Sequence, residues 1–421
     1  MTSFYSVARG AYDFPAVPIG RLGHSPYYAW GWIEQTKGNY DFTLFDPYVQ
    51  YAQQHGIPVV LTFGWTPGWA VADPTTCHVT NNVTLCSGPP ANIQDWSDFV
   101  TQVVNHYKGK IKYYELWNEA QGLAPGAPQN AVVYWSGTPQ DMVNLAKAAY
   151  PIIHTDPNAE LLTPSVAGVA TSAQAFAPSW TASFLQAGGS QYADGGTFHA
   201  YLANAYIGLN PYPYPDQNTT SACTGANVNA CHGAIQTMIQ SYRAVLDSNG
   251  MSGKPLFDTE GSWGCPAITD PTQQSAWIAR FYIMAASMMA GYNFQAADWF
   301  GWGGGTKQQC GDIETDAGTP NQAGAAYTQV YDWLAGSSFA QAAASPPTPG
   351  CSAQGQVWSC QLTLPNGKSG LIVWNQTSTS SYSPPSQYTE YRDLSGNATP
   401  ITSGESVTIT VEPILFDEGS I

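Results

Sequence analysis

The sequence predicts an α/β fold: a (β/α)8 TIM barrel followed by a smaller antiparallel β-sandwich. Three observations predict it. Over the first 335 residues, short apolar runs alternate with helical patterns, the signature of a parallel sheet. Seven or eight such runs suit a closed barrel better than a doubly wound sheet, and no dinucleotide fingerprint supports the latter. After a stretch rich in Ala, Ser, Pro and Gly, helical periodicity stops and alternating strands with turn residues take over. The expected domains are residues 1–335, the barrel, and 336–421, the sandwich, with a linker at about 336–355. A chain of 421 residues accommodates both, since one barrel takes about 250.

Taken in order, residues 4–8 offer a short opening strand and the segment from Ile19 (IGRLGH) a second. Buried strands are then expected at 57–65, 111–117, 160–164, 195–201, 255–259 and 294–302, each a short run of apolar and β-branched residues. Between them lie amphipathic helices with recognisable ends. Trp96, Phe99, Val100, Val103, Val104 and Tyr107 recur at helical spacing. Thr138-Pro139 and Asp270-Pro271 each supply an N-cap followed by Pro at the first helical position, the second opening a helix that ends near Gly291. Ile235, Met238, Ile239, Tyr242, Val245 and Leu246 line another helix, closed by Gly250. Further on, 357–364, 370–374, 388–392 and 406–416 alternate as strands.

Composition narrows the partners. Asp and Glu number 29 against 13 Lys and Arg, a net charge of −16, and 13% of the chain is aromatic. Binding nucleic acid through a basic surface, or docking to an anionic membrane, needs clustered Lys and Arg, so neither is expected. The longest apolar stretch, 281–291, falls short of the roughly 20 residues that span a bilayer. The opening residues lack the basic and apolar regions of a signal peptide, so the chain is either cytosolic or has lost a leader. The eight cysteines favour secretion. They fall into close pairs, Cys77 with Cys86, Cys223 with Cys231, Cys265 with Cys310 and Cys351 with Cys360, mostly across loops rich in Asn, Thr, Gly and Pro. Free or metal-binding thiols are the alternative, but no C-x-x-C occurs, and His78 and His232 lack zinc-site spacing.

Two segments carry candidate chemistry. Tyr114-Glu115-Leu116-Trp117-Asn118-Glu119 closes one expected barrel strand and Phe257-Asp258-Thr259-Glu260-Gly261 another. Carboxylates are costly in apolar strands, and the C-terminal ends of barrel strands are where such folds hold catalytic groups. Glu119 and Glu260 are therefore site candidates; a solvated carboxylate at a strand end is the plainer reading of Glu119, and Glu115 reads as a buried, hydrogen-bonded core residue. Two carboxylates in an aromatic, cation-poor surrounding suit glycosidic bond cleavage. Trp65, Trp69, Trp117, Trp263, Trp299 and Trp302 at strand ends would present flat faces to sugar rings, with core packing the alternative for at least half. Nucleophile-elbow, P-loop and zinc-protease spacings are absent, and neither metal nor cofactor is expected.

The Trp117-Asn118-Glu119 triplet on a fourth strand and Thr259-Glu260-Gly261 on a seventh resemble the clan A retaining glycoside hydrolases. Ile33-Glu34, Gly38-Asn39-Tyr40-Asp41-Phe42, Gln53-Gln54-His55-Gly56, Thr62-Phe63-Gly64-Trp65-Thr66-Pro67 and Asp393-Leu394-Ser395-Gly396 extend the similarity to glycoside hydrolase family 39 and its relatives over nearly the whole chain. The resemblance implies that Glu119 is the general acid/base and Glu260 the nucleophile. Asn118 would hold the hydroxyl next to the reacting carbon, Arg21 would pair with Glu260, and His199 and Tyr201 would flank it, with bonds to nearby carbonyls the alternative for Arg21 and His199. His24, in the distinctive segment after Arg21, would join the tryptophans in supporting the substrate. A secreted retaining glycosidase is expected, exo-acting on a neutral sugar in the manner of a xylosidase or arabinofuranosidase. An endo-acting glycanase or transglycosylase is the alternative within enzymes, and a non-catalytic carbohydrate-binding barrel the alternative outside them. The retaining mechanism requires the two carboxyl groups about 5 to 5.5 Å apart, Glu119 with the higher pKa.

Overall fold

A computed structural model describes residues 2–3, 20–22, 30–121, 133–167, 176–201, 214–216, 235–263, 270–299, 320–340 and 350–419, without the side chains of 2–3, 20, 22, 176–178 and 201. The chain divides into two compact units. The first comprises Met1–Tyr201, Ser241–Gly261 and Gln295–Trp299, the second Leu202–Gln240, Ser262–Phe294 and Phe300–Ile421.

The first unit is built on eight strands: β1 (Thr2–Ser3), β2 (Gly20–Leu22), β3 (Val59–Thr62), β4 (Tyr113–Glu115), β5 (Glu160–Leu162), β6 (Gly196–Tyr201), β7 (Leu256–Ser262) and β8 (Phe294–Trp299). They form one sheet in the order β5-β4-β3-β2-β1-β8-β7-β6. The ladders from β8 through β1 to β5 are parallel, with Arg21 opposite Val60 and Thr62 opposite Glu115. Parallel bridges between Leu162 and Gly195 and between Ala167 and His199 join the two ends of that path. This is the strand order and closure of a (β/α)8 barrel. Val60, Leu162, Phe257 and Ala296, one each from β3, β5, β7 and β8, meet as a buried cluster.

Local chemistry explains the covering helices. Asn92 caps the Ile93–His106 helix by accepting the Gln94 N–H, and the apolar positions Trp96, Phe99, Val100, Val103 and Val104 are all buried. Thr138 and Asp141 form a reciprocal capping box on Pro139–Ile153. The barrel packs closely where β6 begins: a Cβ on Gly196 would meet Leu246 Cδ1 at 2.4 Å, so any larger residue there would displace the Leu246 side chain. A hairpin, Cys77–Thr80 with Val83–Cys86, follows β3 and is closed by the Cys77–Cys86 disulfide, its turn made by left-handed Asn81 and Asn82.

In the second unit the Pro271–Ala286 and Gln322–Leu334 helices pack together, with Tyr282 edge-on to Tyr327. A seven-stranded antiparallel sheet centres on Val357–Thr363, Ser369–Asn375 and Ile414–Asp417, and a two-stranded one pairs Ser380–Tyr382 with Val407–Ile409. Leu371, Val373 and Phe416 of the larger sheet share a core with Val407 and Ile409 of the smaller, a two-layered β region. Cys351 is bonded to Cys360 on the adjoining strand. Cys223, Cys231, Cys265 and Cys310 lie outside the described residues, as do 4–8. No described helix is long and apolar enough to cross a membrane.

Two elements differ from expectation. The helix from Asp270 ends at Ala286 rather than near Gly291, and a separate turn, Met289–Tyr292, closes on left-handed Asn293. There the Ser287 hydroxyl donates to the Met284 carbonyl, a local bond that competes with helix continuation. The single strand expected over 406–416 is two strands in two sheets, separated at Pro413, which has no N–H for a ladder.

Candidate active site

A belt of polar side chains crosses the first unit at the C-terminal ends of its strands. Glu115, fully buried on β4, is its centre. Its Oε1 accepts the Thr259 hydroxyl at 2.5 Å, and its Oε2 accepts the Thr62 hydroxyl at 2.7 Å and Arg21 Nη2 at 2.5 Å. Arg21 on β2 spends its remaining donors on Thr62, Asn118 Oδ1 at 2.8 Å and Glu260 Oε2 at 2.5 Å. Burial works against the charge of Arg21, but the carboxylates of Glu115 and Glu260 outweigh it and raise its pKa further.

Glu119 lies four residues past Glu115, beyond the end of β4, at a backbone φ of 44°. This left-handed conformation is costly for a residue with a side chain and is a mark of functional positions. The segment after β5 holds it there: Ser165 Oγ accepts the Glu119 N–H at 3.3 Å and the Ser165 carbonyl accepts the Ala120 N–H at 2.9 Å. The Glu119 side chain retains 18% exposure, that of Glu260 5%.

His199, fully buried on β6, stands between the two acids. Its Nδ1 shares a hydrogen bond of 3.0 Å with Glu119 Oε1 and lies 3.9 Å from Glu260 Oε2. Desolvation pulls the His199 pKa down, but the Glu260 charge and the Glu119 hydrogen bond prevail, and the net shift is upward. One atom from each of Glu119, His199 and Glu260 falls within 4.8 Å of the others. Those atom types could hold a cation, yet the Arg21 guanidinium already sits against Glu260 and supplies a positive charge there.

Of the residues singled out from the sequence, Arg21, Asn118, Glu119, His199 and Glu260 come together here. Trp65 and Trp299 belong to the same unit but are buried; Trp65, at φ 50°, packs against His78 and Tyr134 beneath the disulfide hairpin. Trp263 is buried in the second unit against Phe281. Tyr201 ends β6, its side chain outside the described residues, as are His24 and Trp302 altogether. A cavity of about 520 Å³ lies between the hairpin and the segment after β4, lined by Thr75, Thr76, His78, Ser87 and Ser136 among others, and contains none of the acids.

The Glycosyl hydrolase family 10 model matches residues 24–162, a span that includes Glu115 and Glu119. The likeness is to the clan A glycoside hydrolases. A family 39 glycoside hydrolase from Bacteroides cellulosilyticus superposes with a TM-score of 0.67 at 18% identity, over 98% of this chain and 77% of that one. A family 39 β-xylosidase from Caulobacter crescentus gives 0.61 at 14% identity, covering 98% and 91%. A family 30 endoxylanase from Clostridium papyrosolvens gives 0.57 at 13% identity, covering 100% and 95%. No curated protein matches the chain. By this partial family match and by fold, the chain is similar to the glycoside hydrolases.

The sequence reading missed Thr62 and Thr259, whose hydroxyls saturate Glu115, because a threonine in a strand carries no signal of a cross-barrel bond. It also passed over Asp258 and Asp298, both fully buried. Here a signal existed, an acid inside an otherwise apolar strand. Burial pushes Asp258 up to about 7 and Asp298 well above the usual carboxylate range.

Proposed function

We propose that the chain is a retaining glycosidase that hydrolyses O-glycosidic bonds of oligo- or polysaccharides by double displacement. Glu119 donates its proton to the leaving oxygen while a Glu260 oxygen attacks the anomeric carbon, and the bonding pair departs with the aglycone. Glu119 then takes a proton from the water that displaces Glu260, releasing the sugar. The observation that carries this reading is the approach of a Glu119 oxygen to a Glu260 oxygen within 4.8 Å, with Arg21 against Glu260. That approach of single oxygens supports the retaining spacing of about 5 to 5.5 Å over the inverting spacing of about 6.5 to 9.5 Å.

The local chemistry supports distinct roles for the two acids. Glu260 is the more buried and faces a guanidinium, which favours the charged nucleophile. Glu119 is the more open and shares its hydrogen bond with His199, the arrangement of a group that exchanges protons with substrate and water. Asn118, held by Arg21, is the candidate for the neighbouring sugar hydroxyl. Residues 1–335 are proposed as the catalytic portion and 336–421 as the β-sandwich. The disulfides Cys77–Cys86 and Cys351–Cys360 support secretion. A low-charge, aromatic-rich chain favours a neutral sugar; exo action of the xylosidase or arabinofuranosidase kind is the proposed mode, with an endo-acting glycanase second.

The test is a panel of nitrophenyl glycosides followed by neutral oligosaccharides, with the anomer of the first-formed product read by NMR. Hydrolysis with retention is expected. Inversion would overturn the double displacement, and failure to cleave any substrate while still binding oligosaccharide would favour a non-catalytic barrel.

A further inference from the structure

Asp258 lies two residues before Glu260 on β7, and no step above uses it. It is fully buried. Its Oδ1 accepts the Ala200 N–H at 2.9 Å, and the backbone N–H of Glu260 adds to the stabilisation of the same carboxylate. Ala200 follows His199 directly on β6, so one carboxylate engages the backbone beside both partners of the acid group. The other oxygen, Oδ2, forms no hydrogen bond among the described residues. It lies beside Gly261, a position that must stay small: a Cβ there would stand 2.9 Å from Asp258 Oδ2 and 3.0 Å from the Ala200 carbonyl. A carboxylate costs stability where an apolar side chain would pack without penalty, so packing alone does not account for it.

We propose that Asp258 is a positioning residue that ties the end of β6 to the end of β7, and thereby sets where the Glu260 carboxylate stands relative to His199 and Glu119. This rests on the reading of Glu260 as nucleophile. The function belongs to the acceptor Oδ1, which an amide keeps and a methyl group does not.

The test isolates the attack step. In a set of 2,4-dinitrophenyl 2-deoxy-2-fluoro glycosides (xyloside, arabinofuranoside and glucoside), dinitrophenolate leaves with the bonding pair and needs no proton. Covalent labelling, read as intact-protein mass, therefore reports attack by a Glu260 oxygen alone. Asp258→Ala is expected to label about 10- to 100-fold more slowly, with the concentration for half-maximal rate nearly unchanged, since a sub-ångström to 1 Å misplacement costs up to about 10²-fold. Asp258→Asn should restore the rate to within about threefold of the parent. Gly261→Ala, whose methyl would press on Oδ2, is expected to slow labelling as Asp258→Ala does, and stands in for it if that variant does not fold. Equal rates in the parent, Asp258→Ala and Gly261→Ala, or an Asp258→Asn as slow as Asp258→Ala, would overturn the assignment. A parent chain labelled by none of the three glycosides overturns the nucleophile reading instead.

Discussion

Arg21 and Arg280 are both fully buried, one in each compact unit, yet their donors go to different kinds of acceptor. Arg280, on the Pro271–Ala286 helix, donates to the carbonyls of Val411, Gln376 and Asn375 and reaches a single acid, Asp216, at 3.4 Å. Asp216 is itself held by Trp374 Nε1 at 2.6 Å. Arg21 donates only to side chains, two of them carboxylates at 2.5 Å. The consequence is electrostatic: burial dominates at Arg280 and lowers its pKa, whereas the acids dominate at Arg21 and raise it. A carbonyl neither ionises nor reorients, so the Arg280 cluster is a fixed joint between a helix and the β strands. A carboxylate, by contrast, can ionise and exchange partners, and Glu119 beside Glu260 remains part-exposed, so the Arg21 cluster fits the proposed support for chemistry rather than a joint.

The sharpest way to break this contrast is to remove the acid from each arginine. Glu260→Ala is expected to lower kcat by about 10³-fold or more while the protein stays folded, because Arg21 keeps Glu115. Azide should partly restore turnover and yield the inverted glycosyl azide. Asp216→Ala should leave kcat/KM of the folded protein unchanged and lower the melting temperature. A Glu260→Ala protein with parental activity removes Glu260 from catalysis; an Asp216→Ala protein that loses activity without losing stability removes the distinction between the clusters.

The second comparison is between the arginines themselves. Breaking a buried ion pair by deleting one partner costs about 3 to 5 kcal/mol, because the other charge is left without compensation. Arg21→Met and Arg280→Met should therefore both destabilise, measured by denaturant titration. Only Arg21→Met should also reduce kcat/KM in the fraction that remains folded, and Arg21→Lys should recover stability before it recovers rate, since an ammonium cannot span Glu115, Asn118 and Glu260 as the planar fork does. Recovery of both together would mean that charge alone matters at this position.

How far these clusters were legible in the sequence follows from how far apart their members lie. The barrel strands were readable because an apolar run of four to eight residues is a local signal, but expected bounds such as 57–65 and 111–117 ran past the ladder ends at Thr62 and Glu115. At β3 and β4 the chain leaves the sheet after Thr62 and Glu115 and turns, with Trp65 and Glu119 in left-handed conformation. That departure builds the rim, and it is set by neighbours such as Ser165 rather than by local propensity. The hairpin at 77–86 was read as a disulfide loop; the Asn81-Asn82 turn between alternating Val79, Val83 and Leu85 was a usable hairpin signal. Glu119 and Glu260 were legible as acids at strand ends, and the Arg21 pairing through family resemblance. The bonds from Thr62 and Thr259 to Glu115 and from Asp258 to Ala200 were not, because each joins separate strands and only barrel closure brings them together.

The smallest expected effect concerns a charge that neither arginine compensates by direct contact. Burial is the main cause that lifts Asp258 from 3.8 to about 7, with Glu260 opposing its ionisation and His199 and two backbone N–H groups favouring it. A carboxyl with a raised folded pKa holds its proton more tightly in the native state, so its contribution to stability is complete below about pH 4. It declines as pH rises towards 7 and is flat above that, where the buried charge persists. Asp258→Asn keeps the acceptor but cannot ionise. The melting temperature of Asp258→Asn relative to the parent should therefore climb between pH 4 and pH 7 and level off, by a few degrees at most, while the Asp216 and Arg280 variants show an offset without that window. A difference that is constant across the range would mean that Asp258 stays charged in the folded protein, and that its carboxylate, like that of Glu115, is compensated by the network around it.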